Sequence, residues 1–338
     1  MLEKEERLPK YFLIAALVAL GGAVRLWGLT FGLPFTGAHP DETVIVSTAL
    51  RFGYGDLNPH SFLYPSLFFY LTAVAYSILY AGGHIFGYFP SVLAFKWQFF
   101  TDPSPFYLAA RLLSAGLGTA TVFFTYRLGM ALAGRSAGLL AALLLAVNPL
   151  HVRNSHFATS DVAMTAFVTL GLLYAVRAAN DGTLRDFIWS GIWFGLATST
   201  KYPALLFLTS LLSAAVWPCE KDPLVPRQTR FYRLCLGLFC AAVALIFTSP
   251  FLLLDWPAAV RDIHYQSSFR STGWFGASEP AWYYHLTFSL YYGIGILLLL
   301  VLVASITRLV MRRDRGALSI ATGGVAYLVF MVLITTLF

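Results

Sequence analysis

Apolar runs of membrane-spanning length recur along this 338-residue chain, separated by short polar stretches. A helix that crosses a bilayer needs about 20 mostly apolar residues. Ten segments reach or approach that length: 11–31, 66–88, 106–132, 137–152, 158–178, 187–200, 203–218, 232–253, 286–307 and 317–338. Segments 187–200 and 203–218 are short, so their ends are the least defined. The pattern predicts an all-α integral membrane protein. Composition agrees, with 58% hydrophobic and 12% charged residues against roughly 25% charged in a soluble domain. Mean hydropathy is +0.69. The net charge of +7 therefore reads as Lys and Arg of cytoplasmic loops, not as a nucleic-acid surface. Cys219, Cys235 and Cys240 show no CxxC or CxxH spacing, which argues against a disulfide framework or structural zinc. Residues 1–10 are charged and 11–24 apolar, with no small-x-small cleavage site, so the first helix is expected to be retained. No internal repeat or low-complexity tract is visible.

Charge then orients the segments. With Lys4, Arg7 and Lys10 inside, ten crossings would leave four basic loops outside. These carry Arg127 and Arg135; Arg177 and Arg185; Lys221, Arg227, Arg230 and Arg233; and Arg308, Arg312, Arg313 and Arg315. Each breaks the positive-inside rule. If 66–88 lies flat instead of crossing, all four move inside, and fifteen of the 23 Lys and Arg are then cytoplasmic. The segment SLFFYLTAVAYSILYAGGHIFGY carries four tyrosines and a histidine and breaks at Gly82-Gly83. Aromatic rings with polar tips favour the interface. Nine crossings are expected. Residues 32–105 would form a first outside loop with two surface helices, about 40–53 and 65–82. Residues 151–158, a turn at Lys201-Tyr202 and residues 254–285 complete the outer face. The chain stops at Phe338 inside an apolar run, from which a longer natural protein with a further C-terminal part is expected.

The outer face collects polar chemistry. All seven histidines fall there (His39, His60, His84, His151, His156, His264 and His285), as do Asp41, Glu42, Asp56, Asp102, Asp161, Asp255, Asp262 and Glu279. Ionisable groups at membrane depth are functional candidates by default. Loop solvation suffices for Asp56, Asp102 and Glu279. "HPDE" at 39–42 opens a helix, since Pro suits the first helical position and Asp the first turn. Neighbouring helical residues point about 100° apart. Asp41 and Glu42 therefore cannot serve one small substrate alike. A carboxylate at a helix N-terminus is stabilised as the anion, which suits a general base.

At this point the chain resembles a known family. The carrying residues are "HPDE" (39–42), "GDLNPHSFLYPSL" (55–67), "FYLAARLLSAGLGTATVFFTYRLG" (106–129), "GRSAGLLAALLLAVNPLHVRNSHFATSDVAMTAFVTLGL" (134–172), "GIWFGLATSTKYPALL" (191–206) and "SPFLLLD" (249–255). They are similar to the dolichyl-phosphate-mannose protein mannosyltransferase-like group of GT-C fold membrane glycosyltransferases (glycosyltransferase family 39 and its aminoarabinose-transferring relatives). The resemblance covers roughly residues 11–260. It implies one transmembrane catalytic domain over 1–338, with surface-lying helices in the first outside loop. It also implies a polyprenyl-phosphate-linked sugar donor and a hydroxyl acceptor (protein, lipid or glycan), transfer with inversion, and Asp41 as base at the extracytoplasmic face of a cell membrane. The departing phosphate needs cations, and the candidates are Arg111, Arg153, Lys201 and Arg270, though snorkelling to the interface is the ordinary alternative. Arg25 either pairs with Asp41 or ends its helix. Glu42, His39, His60, Tyr64, His156, Asp161, Tyr202 and His264 complete the expected substrate-binding set. Relatives carry a Glu-Lys pair where this chain reads Leu63-Tyr64, so a metal or phosphate-binding lysine does not carry over there. A divalent metal on some of His39, Asp41, His60, His156, Asp161 and His264 stays open, without a local ligand spacing to support it. A transporter or flippase of a lipid-linked sugar is the alternative. It would place its ionisable groups near mid-membrane on paired broken helices, and neither is seen.

Overall fold

The computed structural model describes residues 7–217, 224–272, 281–285, 287, 290–312 and 314–333. Lys4, Cys219, Lys221, Glu279 and Arg313 lie outside that set. The described residues are helical throughout their regular structure. Helix α1 spans Arg7–Leu26. The segment that follows carries α2 (Pro40–Arg51), α3 (Leu67–Ile85) and α4 (Val92–Thr101). Next come α5 (Ser104–Ala146), the short α6 (Pro149–Asn154), α7 (Ser160–Asp181) and α8 (Leu184–Thr198). A 3₁₀ turn at Tyr202–Phe207 leads into α9 (Leu208–Val216). The remaining helices are α10 (Arg227–Thr248), α11 (Phe251–Leu254), α12 (Trp256–Thr272), α13 (Ala281–Tyr284), α14 (Leu290–Ile294), α15 (Ile296–Arg312) and α16 (Arg315–Leu333).

Four of these are long and apolar enough to cross a membrane: Leu67–Ile85, Ser104–Ala146, Ser160–Asp181 and Arg227–Thr248. Tyr11–Leu26, Tyr202–Val216 and Arg315–Met331 are shorter apolar helices. Helix α5 is two predicted segments joined by a sharp turn. Ala133 and Gly134 leave helical geometry, and Gly134 has φ +81° and ψ −175°, a region open essentially to glycine alone. The two arms fold back on each other. Val122 on one and Ala146 on the other both face Gly21 of α1, and Val122, Tyr126, Ala142 and Ala146 share one core cluster with Ile14.

Helices α8 and α10 approach most closely at Gly191, where a Cβ would collide with the Gly237 carbonyl. Phe187, Phe194, Leu211 and Leu234 fill the core around that contact. Two stretches expected as plain loop are helical, and a third helix, α6, straddles the predicted boundary between segment 137–152 and loop 151–158. Ser91 caps α4 by accepting from Ala94 N–H at 3.1 Å. Asn148 caps α6 by accepting from His151 N–H at 2.9 Å, with Pro149 at its first position. Helix α12 occupies Trp256–Thr272 of the stretch 254–285, expected as loop.

The path of α3 bears on its predicted flat lie. It begins beside the ends of α8 and α10, with Leu67 N–H donating to Ser199 O at 3.0 Å and Ser66 N–H to Ser249 Oγ at 2.9 Å. Phe68 and Phe69 share a cluster with Leu113 and Leu117 of α5. One or two turns further on, Tyr76 meets Phe106, at 5.4 Å between ring centroids. As α3 advances, its partners on α5 move back toward the α5 N-terminus, so the two helices run in opposite senses.

Candidate functional site

The site is built where the N-termini of α2 and α7 meet the turn after α8. Pro40 fixes the first turn of α2, and His39 caps it, its Nδ1 accepting from Asp41 N–H at 3.2 Å. The His39 ring rests on Phe157, with centroids 4.8 Å apart. Asp41 is partly open, and its carboxylate interacts with the Tyr64 hydroxyl. Burial, and then the Asp41 charge, push the Tyr64 phenol well above its usual range. Asp161, in the first turn of α7, accepts from Lys201 Nζ at 2.6 Å. Burial alone would lower the Lys201 ammonium, but Asp161 foremost, with Tyr327 and Asp41 behind it, holds it above its ordinary value. Asp41, Tyr64, Asp161, Lys201 and Tyr327 thus form one electrostatic neighbourhood. Tyr327 was not anticipated from the sequence. It comes from α16 and stacks on Phe207 at 5.4 Å, and a tyrosine inside an apolar run carries no local signal.

Glu42 and Arg111 are corrected from substrate-facing to structural. Both are 0% exposed. Arg111 donates Nε to Glu42 Oε1 and Nη2 to Oε2, each at 2.8 Å. Its Nη1 reaches Leu29 O at 3.0 Å and Phe31 O at 2.8 Å, and its guanidinium lies 4.5 Å from the Phe31 ring centroid. Ala158 N–H donates to Glu42 Oε1 at 2.8 Å. A pair this satisfied leaves no face for a phosphate. It ties the loop after α1, the start of α2, α5 and the entry to α7 at one level. Of the two readings of Arg25, the helix end is the one seen: it stands in the last turn of α1 and donates to Gly21 O at 2.9 Å. It does not pair with Asp41 but donates to Leu145 O and Ala146 O, at 3.1 and 3.0 Å, closing the C-terminus of α5.

The remaining expected residues scatter. His60 pairs with Asp56 at 2.6 Å on the exposed surface. His156 bridges Val152 O at 2.8 Å and Trp27 O at 2.9 Å. The Tyr202 hydroxyl donates to Phe62 O at 2.9 Å. Arg153 is exposed on α6, and His264 is exposed on α12. Arg270 lies in the last turn of α12, with its side chain outside the described residues. Among the described residues, no three His, Cys, Asp or Glu side chains gather to hold a metal.

These observations describe an all-helical, multi-pass membrane protein with polar chemistry gathered at one end of its helices. Residues 105–253 match the family model "Dolichyl-phosphate-mannose-protein mannosyltransferase", so this stretch carries that family's pattern, as the sequence resemblance indicated. No curated protein matches the sequence. Among solved structures, the fold is similar to that of the S. cerevisiae protein O-mannosyltransferase Pmt1-Pmt2 complex bound to the sugar donor, with a TM-score of 0.50 and 20% identity. The likeness covers 77% of this chain and 34% of that one. The chain thus spans about a third of the solved chain, and the likeness is one of fold.

Proposed function

We propose that this protein is a membrane glycosyltransferase that moves a sugar from a polyprenyl-phosphate donor to a hydroxyl acceptor at the outer membrane face. The reading rests above all on the Lys201 ammonium, held by Asp161 at 2.6 Å and within electrostatic reach of Asp41 in the first turn of α2. Asp41 takes the proton of the acceptor hydroxyl. The acceptor oxygen attacks the anomeric carbon, and the bond from that carbon to the phosphate oxygen breaks with inversion. The phosphate leaves with the electron pair. Lysine offers three donors, and Asp161 engages Lys201 through one contact. The others are available to oppose the phosphate charge. Asp161 keeps Lys201 charged and aimed. The test is transfer of labelled mannose from dolichyl-phosphate-mannose to a Ser/Thr peptide. Asp41→Asn should lower the rate at least 100-fold, as loss of a general base does. A variant of undiminished rate would remove Asp41 from the role.

The same reading places nine crossings in the chain, with α3 along the outer surface. Arg111, near the start of α5, donates to Leu29 O and Phe31 O just past the end of α1, which puts the start of α5 level with the end of α1 and supports no net crossing between them. From its contacts with Leu113 and Leu117, α3 runs back along α5 to Phe106, toward that same level. Tyr88→Cys or Lys96→Cys, in a background without Cys219, Cys235 and Cys240, should react with an impermeant thiol reagent from outside. Labelling only from inside would overturn the flat placement.

A further inference from the structure

Residues 56–66 connect α2 to α3 without regular structure. The stretch contains Pro59 and Pro65, and its backbone is held largely by side chains. Asp262 Oδ2 accepts from Phe62 N–H at 2.8 Å. The Tyr202 hydroxyl donates to Phe62 O at 2.9 Å, and Gln266 Nε2 donates to Leu63 O at 2.6 Å. Further along, Asn58 Nδ2 donates to Asp255 Oδ2 at 2.7 Å. Asp262 and Gln266 stand four residues apart, on one face of α12. The next residue after this double grip is Tyr64, whose hydroxyl lies within electrostatic reach of the Asp41 carboxylate.

We propose that α12 is a strap that sets Tyr64 against Asp41, with Asp262 and Gln266 as positioning residues for the base. The inference rests on the reading of Asp41 as base. Its physical basis is that the connection has few bonds of its own. Both polar backbone atoms of Phe62 and the carbonyl of Leu63 are fixed from outside, immediately before the tyrosine. Without those anchors Tyr64 would sample several positions, and the carboxylate at the head of α2 would lose its fixed neighbour. A misplacement of about 1 Å near reacting groups can cost on the order of 100-fold in rate.

The test places 3-fluorotyrosine at position 64 of the full chain in lipid nanodiscs and follows its ¹⁹F resonance, which needs no substrate. Asp41→Asn should move the resonance, because the Asp41 charge acts on this phenol more strongly than that of Asp161. Asp262→Ala and Gln266→Ala should also move or broaden it. Asp262→Asn keeps an oxygen to accept the Phe62 N–H and should restore the wild-type position, which a general loss of folding would not. The proposal is overturned if both alanine variants leave the resonance at its wild-type position while Asp41→Asn moves it. It falls equally if Asp41→Asn leaves the resonance unmoved, since Tyr64 would then not report on the carboxylate. In the mannose-transfer assay, Asp262→Ala should lower kcat about 10- to 100-fold with KM nearly unchanged, and should add nothing to Tyr64→Phe. Absence of transfer by the wild type would count against the proposed donor, while the resonance would still decide the strap.

Discussion

Arg111→Met should uncouple the two adjacent carboxylates of "HPDE". The substitution removes a guanidinium that is 0% exposed and four hydrogen bonds, two to Glu42 and two to the carbonyls of Leu29 and Phe31. Glu42 then keeps a single described donor, the Ala158 N–H. Breaking a buried pair by removing one partner costs about 3–5 kcal/mol. The two orphaned carbonyls push toward the upper end of that range, since an unmade buried bond costs about 1–3 kcal/mol. At roughly 2 °C per kcal/mol, the lower end of what larger domains show, the melting temperature should fall by about 6–10 °C. The assay is thermal unfolding in one fixed detergent, followed by tryptophan fluorescence. Asp41→Asn, one residue from Glu42, should melt within about 1 °C of wild type, as a substitution away from the core does, while abolishing transfer. The double variant Glu42→Leu/Arg111→Met should recover part of the loss, because it strands no charge. Were Arg111→Met to melt within 1 °C of wild type, the pair would not be what holds the loop. A double variant no better than the single would place the cost in the carbonyls rather than the charge.

Two other perturbations address the scaffold. Gly134→Ala forces a side chain into a backbone region that costs about 1–3 kcal/mol, so the α5 turn should weaken and proteolysis near residue 134 should speed up. His151, beyond the end of α5, is pushed down to about 4 by burial and by the Arg25 guanidinium. Its folded value lies below its unfolded value. The native state therefore refuses a proton that the unfolded chain accepts, and stability present above about pH 6.5 is lost as pH falls toward 4. His151→Gln should flatten the melting temperature over that range.

The helical pattern and the opening of α2 were legible because both depend on local sequence. Apolar runs mark helices, and Pro40 followed by Asp41 marks a start. The 100° rule separated Asp41 from Glu42, and the structure accordingly buries one and leaves the other partly open. Arg111 was read as a phosphate partner because its residue type allows it. Only folding shows that Glu42 and two carbonyls consume its donors. Arg25 escaped for the same reason, its acceptors lying 120 and 121 positions away. Helix α6 carried an overlooked local signal, Asn148 followed by Pro149. Tyr327 had none, since its partners Lys201 and Asp161 become neighbours only when α16 docks.

Tyr327 also imposes an order of assembly. Asp41 emerges from synthesis early, Asp161 and Lys201 midway, and Tyr327 nearly three hundred residues after Asp41. Until α16 reaches its place against Phe207, Asp41, Tyr64, Asp161 and Lys201 lack this fifth neighbour. A chain that ended before residue 327 would hold Asp41, Tyr64, Asp161 and Lys201 without Tyr327. Completion of the last described helix is thus the step that gives this electrostatic neighbourhood its fifth member.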